Sequence, residues 1–158
     1  MWSNQYIGIP YKAGGRDRSG IDCWGLARLI YQEQYRINLP SFSTEYTEND
    51  TERKEELLAQ YREGWTQVDQ VKEGDLVLFR VLGSESHIGI ALDSQSFIHA
   101  RRRSNTCVDK FESPRWKNRI VGFFRYENKK GALLNALPYP LKTERVTLPI
   151  PAGRRRRP

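Results

Sequence analysis

The sequence predicts an α+β domain in which helices precede an antiparallel sheet. Helical apolar spacing is confined to the first 62 residues, and short β-rich runs follow from Leu76 onward. The balance of 38% hydrophobic and 28% charged residues over 158 positions suits one globular domain with a full core. No run of about 18 apolar residues is present, so no membrane span is expected. The first residues, "MWSNQYIGIPYKAGG", lack a basic segment leading into an apolar one. This predicts a chain made in the cytoplasm without a secretory signal, its two cysteines reduced.

The elements follow in chain order. Gly14 and Gly15 make a turn before the segment "SGIDCWGLARLI". There Cys23, Leu26, Ala27, Ile30 and Tyr31 take the i, i+3, i+4, i+7, i+8 spacing of an amphipathic helix, with Asp22 placed to cap it. Cys23 falls in the first turn, where the helix terminus favours an anion and so a thiolate. The competing use of such a cysteine is as a small buried hydrophobe. "INLPSFSTEY" reads as a loop around Pro40. A second helix is expected within residues 48 to 62, with Leu57, Leu58 and Tyr61 as its apolar stripe and "REGW" as its end. Gly74 and Asp75 turn the chain into a strand from Leu76 to Val81. "HIGIAL", "SFIHA" and "RIVGFFRY" supply three more strands, expected to form a meander.

The only two histidines lie on the first two of those last three runs. Alternation places Ile88, Ile90 and Leu92 on one face and His87, Gly89 and Ala91 on the other. If Asp93, Ser94 and Gln95 form a three-residue loop, Leu92 pairs with Ser96 and His99 falls opposite Gly89. His87 and His99 then become diagonal neighbours roughly 7–8 Å apart at the backbone. A two-residue loop without a bulge would separate them onto opposite faces. A helix-terminal cysteine, a histidine base and a second polar residue to orient it are the parts of a thiol acyl-transfer centre. Cys23, Cys107, His87 and His99 lack zinc-site spacing, so no metal is expected, and Cys107 is read as structural.

The segments "PYKAGGRDRSGIDCWGLARLIY", "EGDLVLF" and "HIGIALDSQSFIHA", in that order, resemble the NlpC/P60 family of papain-like cysteine peptidases, in its bacteriophage tail-associated variant. The likeness runs from about Ile7 to Ala100 and more weakly to Tyr126. It implies a papain-like fold, Cys23 as nucleophile, His87 as general base, His99 as the orienting residue and Tyr11 near the oxyanion. The Cys23 N–H would contribute to the oxyanion hole. It further implies hydrolysis of peptide bonds in peptidoglycan stem peptides, with no cofactor. Trp24 stands where many cell-wall members have serine. Asp22 has two readings, a helix cap or a contact to a substrate amine. Arg101 to Arg103 are either solvated or meet stem-peptide carboxylates.

The charge is unevenly spread. Residues 137–158 carry six basic residues against Glu144, which is +5 of the net +7, together with five of the eight prolines. The reading is a peptidase domain over 1–136 and a basic Pro-rich arm over 137–158. Such an arm is either solvated or docks on an acidic partner, here a tail-hub or tail-tip protein, with nucleic acid not expected. The expected product is a peptidoglycan endopeptidase of a phage or phage-derived tail, acting at the bacterial wall from the virion. The alternatives are a non-enzymatic tail assembly protein that keeps the fold, and an amidase or toxin using the same centre.

Overall fold

The computed structural model describes residues 1–127 apart from Glu48 and Glu63; the expected boundary at 136/137 and the arm lie outside the described residues. A 3₁₀ turn over Trp2–Tyr6 leads to a short hairpin of β1 (Arg16–Asp17) and β2 (Gly20–Ile21). Helix α1 (Cys23–Tyr35) follows, then α2 (Thr51–Arg62). Six strands complete the order: β3 (Trp65–Val68), β4 (Leu76–Val81), β5 (Ser84–Ala91), β6 (Ser96–Arg101), β7 (Asn105–Lys110) and β8 (Ile120–Tyr126). They form one antiparallel sheet in the order β3-β8-β4-β5-β6-β7. The α+β expectation holds. Only β4 to β7 form a meander, however, because β8 returns to the far side of β4 and β3 adds outside it.

Helix α1 starts where Asp22 takes an extended conformation and its Oδ1 accepts the Gly25 N–H at 2.8 Å. The helix ends at Arg36, which adopts the left-handed conformation at φ 59°. Its buried face includes Leu26, Ala27, Ile30 and Tyr31. That face shares a core with Leu76, Leu78, Ile88, Ile90, Ile98 and Phe124 from the sheet. The Tyr31 hydroxyl donates to the Gly74 carbonyl, fixing α1 to the turn before β4. Helix α2 adds Leu58 to the same core.

The other face of the sheet is also covered. Val77, Phe79, Ala91 and Phe97 meet Phe111 and Trp116 there in a second, smaller core. This explains why β4 reads as the continuous apolar run Leu76, Val77, Leu78, Phe79, with all four buried. The Asp93–Gln95 loop has three residues: the Leu92 N–H donates to the Ser96 carbonyl at 2.9 Å, and Ile90 pairs with Ile98. His87 and His99 therefore share the face that carries the smaller core.

Candidate active site

The site forms where the N-terminus of α1 meets the ends of β5 and β6. Strands β5 and β6 pair at Ile90↔Ile98 and Ala91↔Phe97. Past those pairs, Ser86 and His87 from β5 and Ala100 and Arg101 from β6 line a cleft of about 590 Å³, with Cys23 and Tyr11 also on its wall. Cys23 is buried at the cleft, its Sγ 3.9 Å from the Ser86 carbonyl. Gly89 makes the crossing possible, because a Cβ there would lie 2.8 Å from the Phe97 ring and 3.4 Å from the His99 Cβ.

A chain of hydrogen bonds runs away from the cleft. His87 Nε2 and His99 Nδ1 are 2.8 Å apart, and His99 Nε2 lies 3.0 Å from Asp109 Oδ2. The carboxylate accepts, so His99 carries its proton on Nε2 and offers Nδ1 as an acceptor. His87 must then donate through Nε2, which leaves its Nδ1 with the free lone pair of a base. Trp116 sets both rings: it stacks on His87 at 5.4 Å and 18°, stands edge-on to His99, and donates its Nε1–H to Asp109 at 2.9 Å. Burial, then His99, Lys54 and Arg101, hold the His87 pKa well below 6.5. Burial likewise lowers His99 to about 4, against the opposing pull of Asp109.

Asp109, Trp116 and Lys54 are the residues that sequence reasoning missed. Asp109 lies in β7, which pairs His99 with Cys107 and so puts Asp109 two residues further along the same strand. The alternation in "NTCVDK" was the available signal. Cys107 Sγ lies 3.6 Å from His99 Nε2, nearer the centre than a merely structural reading supplied. His99, Cys107 and Asp109 are the group among the described residues able to offer ligands to a metal. His99 Nε2 already contacts both Asp109 and Cys107, and Arg101, 3.6 Å from Asp109, opposes a dication.

The other expected residues are also placed. Tyr11 bridges to Ile21 at the edge of the cleft. Asp22 is buried and caps α1. Besides Gly25, it accepts from Gly14 N–H at 3.0 Å, Arg16 Nη1 at 2.8 Å and the Tyr46 hydroxyl at 2.8 Å. Arg101 lines the cleft and donates to the Ser104 hydroxyl at 2.7 Å. Trp24 is structural: its Nε1–H bonds the Pro40 carbonyl at 2.8 Å and its ring packs on Phe42 and Tyr61. Lys54, Arg101, Arg102, Arg103, Arg115 and Arg119 all line the cleft, and among the described residues none of the lining is a carboxylate. The cleft is therefore strongly cationic.

The NlpC/P60 family matches residues 8–125 of the chain. Among curated relatives, murein DD-endopeptidase MepS/murein LD-carboxypeptidase of Escherichia coli (strain K12) is 30% identical over 112 residues, covering 71% of this chain and 53% of that protein. The gamma-DL-glutamyl hydrolase of Bacillus subtilis (strain 168) is 29% identical over 130 residues, covering 80% of this chain and 28% of its own length. The chain thus spans about half, or less, of these relatives. Among solved structures, the NlpC/p60 domain of the peptidoglycan hydrolase SagA superposes with a TM-score of 0.53 at 27% identity, over 77% of this chain and 90% of that one. A lipoprotein-like NLP/P60 protein from Staphylococcus aureus gives a TM-score of 0.58 at 25% identity, over 80% and 39%.

Proposed function

The chain belongs to the NlpC/P60 family, and from that premise we propose that it is a cysteine peptidase hydrolysing the acidic stem peptides of peptidoglycan. The observation that carries the reading is the placement of Cys23 and His87 on one cationic cleft, backed by the His99–Asp109 chain. His87 Nδ1 takes the Cys23 proton as the sulfur attacks a peptide carbonyl carbon, forming the C–S bond of a tetrahedral intermediate. The Cys23 N–H, in the first turn of α1 and without an intrahelical partner, faces the developing oxyanion together with the Tyr11 hydroxyl. His87 then returns the proton to the departing amine, and water hydrolyses the thioester by the same route in reverse.

The six cations of the cleft suit a substrate with free carboxylates beside the scissile bond. Similarity to a murein DD-endopeptidase/LD-carboxypeptidase and to a gamma-DL-glutamyl hydrolase supports this substrate class. Arg101 is assigned to a substrate carboxylate, whereas Asp22, with four protein donors on it, is assigned to holding the helix terminus. The Cys23→Ala protein should remain folded, with a cooperative melting transition, and release no peptide from purified wall fragments, read by product mass. Release by that variant would overturn the thiol mechanism. Placement in a phage or phage-derived tail, with synthesis in the cytoplasm and action at the wall, is the further part of the proposal; it rests on the sequence resemblance to the tail-associated variant and on the basic arm.

A further inference from the structure

Three nitrogen atoms converge on one oxygen of Asp109. Its Oδ2 lies 3.0 Å from His99 Nε2, 2.9 Å from Trp116 Nε1 and 3.6 Å from Arg101 Nη1. Trp116 comes from the turn between β7 and β8, is buried in the smaller core, and has an indole N–H that can only donate. We propose that Asp109 and Trp116 are positioning residues that fix the polarity of the imidazole chain: Asp109 sets, through His99, which nitrogen of His87 is free to act as the base, and Trp116 keeps an acceptor turned toward His99. The inference rests on the reading of His87 as general base.

The argument is one of donors and acceptors. Burial keeps both rings neutral at neutral pH, so each carries one proton on one of its two nitrogens. His87 Nε2 and His99 Nδ1 face each other at 2.8 Å, so one must donate and the other accept. Only two arrangements satisfy this. In the first, each ring is protonated on Nε2 and His87 Nδ1 is bare. In the second, each is protonated on Nδ1, and the nitrogen assigned to the Cys23 proton has no lone pair to offer. The choice is made at the far end, on His99 Nε2, whose neighbours are Asp109 Oδ2 and, at 3.6 Å, Cys107 Sγ. A carboxylate can only accept, which selects the first arrangement; the thiol alone can donate and would allow the second. Trp116 reinforces the selection. Its N–H needs an acceptor at the Oδ2 position, so a group placed there shows an oxygen lone pair to Trp116 and to His99 alike. The same indole stacks on His87 at 5.4 Å and 18°, holding the ring whose tautomer is set. A purely packing role would need the indole ring but not its N–H.

Ring-nitrogen NMR at neutral pH reads the tautomers without substrate. The wild-type protein should carry the His87 and His99 protons on Nε2; a His87 proton on Nδ1 overturns the proposal before any substitution is made. Asp109→Leu should move both protons to Nδ1, each ring keeping one, and lower kcat on wall fragments about 10²–10³-fold with KM within about twofold. Asp109→Asn should keep the wild-type tautomers and a kcat within about tenfold, because Trp116 turns the amide oxygen toward His99. Trp116→Phe alone should also keep them. Combined with Asp109→Asn it frees the amide to turn its NH₂ to His99 and should populate the Nδ1 tautomer, a coupling that neither single variant shows. Each variant's melting temperature is read alongside. Wild-type tautomers in folded Asp109→Leu, or in the folded double variant, would reduce these residues to packing and overturn the proposal. Since the tautomers are read without substrate, the expected shifts in a protein that releases nothing from wall fragments would sink the peptidase reading alone.

Discussion

At the scale of single residues, His99 connects chemistry to stability. Fully buried, it is held neutral, its pKa brought from 6.5 to about 4 chiefly by burial. An unfolded chain binds a proton on this ring at higher pH than the folded one does. The neutral ring's contribution is therefore complete above about pH 6.5 and is lost as pH falls toward 4, a difference on the order of 3 kcal/mol. His87, also held below its ordinary value, adds in the same direction. Melting temperature should fall steeply between pH 6.5 and 4, and His99→Asn should flatten that fall. The same variant should keep partial hydrolysis, since an amide can still bridge His87 and Asp109. An equally steep fall in His99→Asn would mean that other groups set the acid limit.

At the scale of elements, a buried ion pair ties the sheet together. Asp75, in the turn entering β4, receives Arg125 of β8 through Nε at 2.8 Å and Nη2 at 2.6 Å, and it also caps the Lys72 N–H at 2.7 Å. Arg125→Met should cost about 3–5 kcal/mol in denaturant unfolding, because it strands a buried carboxylate. Adding Asp75→Leu should recover part of that loss; strict additivity would show that the pair is not coupled. This pairing marks the limit of what the sequence made legible. Gly74 and Asp75 could be read as a turn, Leu76 to Val81 and the α1 cap followed from local pattern, and the hairpin register followed only on condition of the three-residue loop that Asp93–Gln95 form. Partners 50 residues apart in sequence carry no such pattern. Strands β3 and β7 escaped for a related reason: "WTQV" and "NTCVDK" are short and largely polar, and pairing to β8 and β6 makes them strands. Asp109 and Lys54 were hidden with them, since β7 delivers the first and the packing of α2 against the sheet delivers the second. The positions of Cys23 at the start of α1 and of His87 in β5 were legible, because helix spacing and strand alternation place them without knowledge of the tertiary contacts; their assigned roles came from the family resemblance.

At the scale of the whole molecule, charge is concentrated in two places with separable consequences. Residues 137–158 hold +5 of the net +7, so the rest of the chain is nearly neutral in sum. Yet six of its cations converge on the cleft. If the substrate is an acidic peptide, the cleft rather than the arm should govern how hydrolysis responds to salt. KM for soluble wall fragments should rise severalfold as ionic strength increases from about 0.05 to 0.5 M, with kcat little changed, because screening weakens encounter more than chemistry. Deleting residues 137–158 should leave that salt dependence and kcat within about twofold. It should also abolish salt-sensitive incorporation into a tail particle, if the arm is the docking element. Arg101→Gln should instead blunt the salt dependence of KM, since it removes a charge from the cleft itself. Loss of the salt response on truncation would transfer substrate recognition to the arm, and a melting temperature lowered by many degrees would make residues 137–158 part of the folded domain.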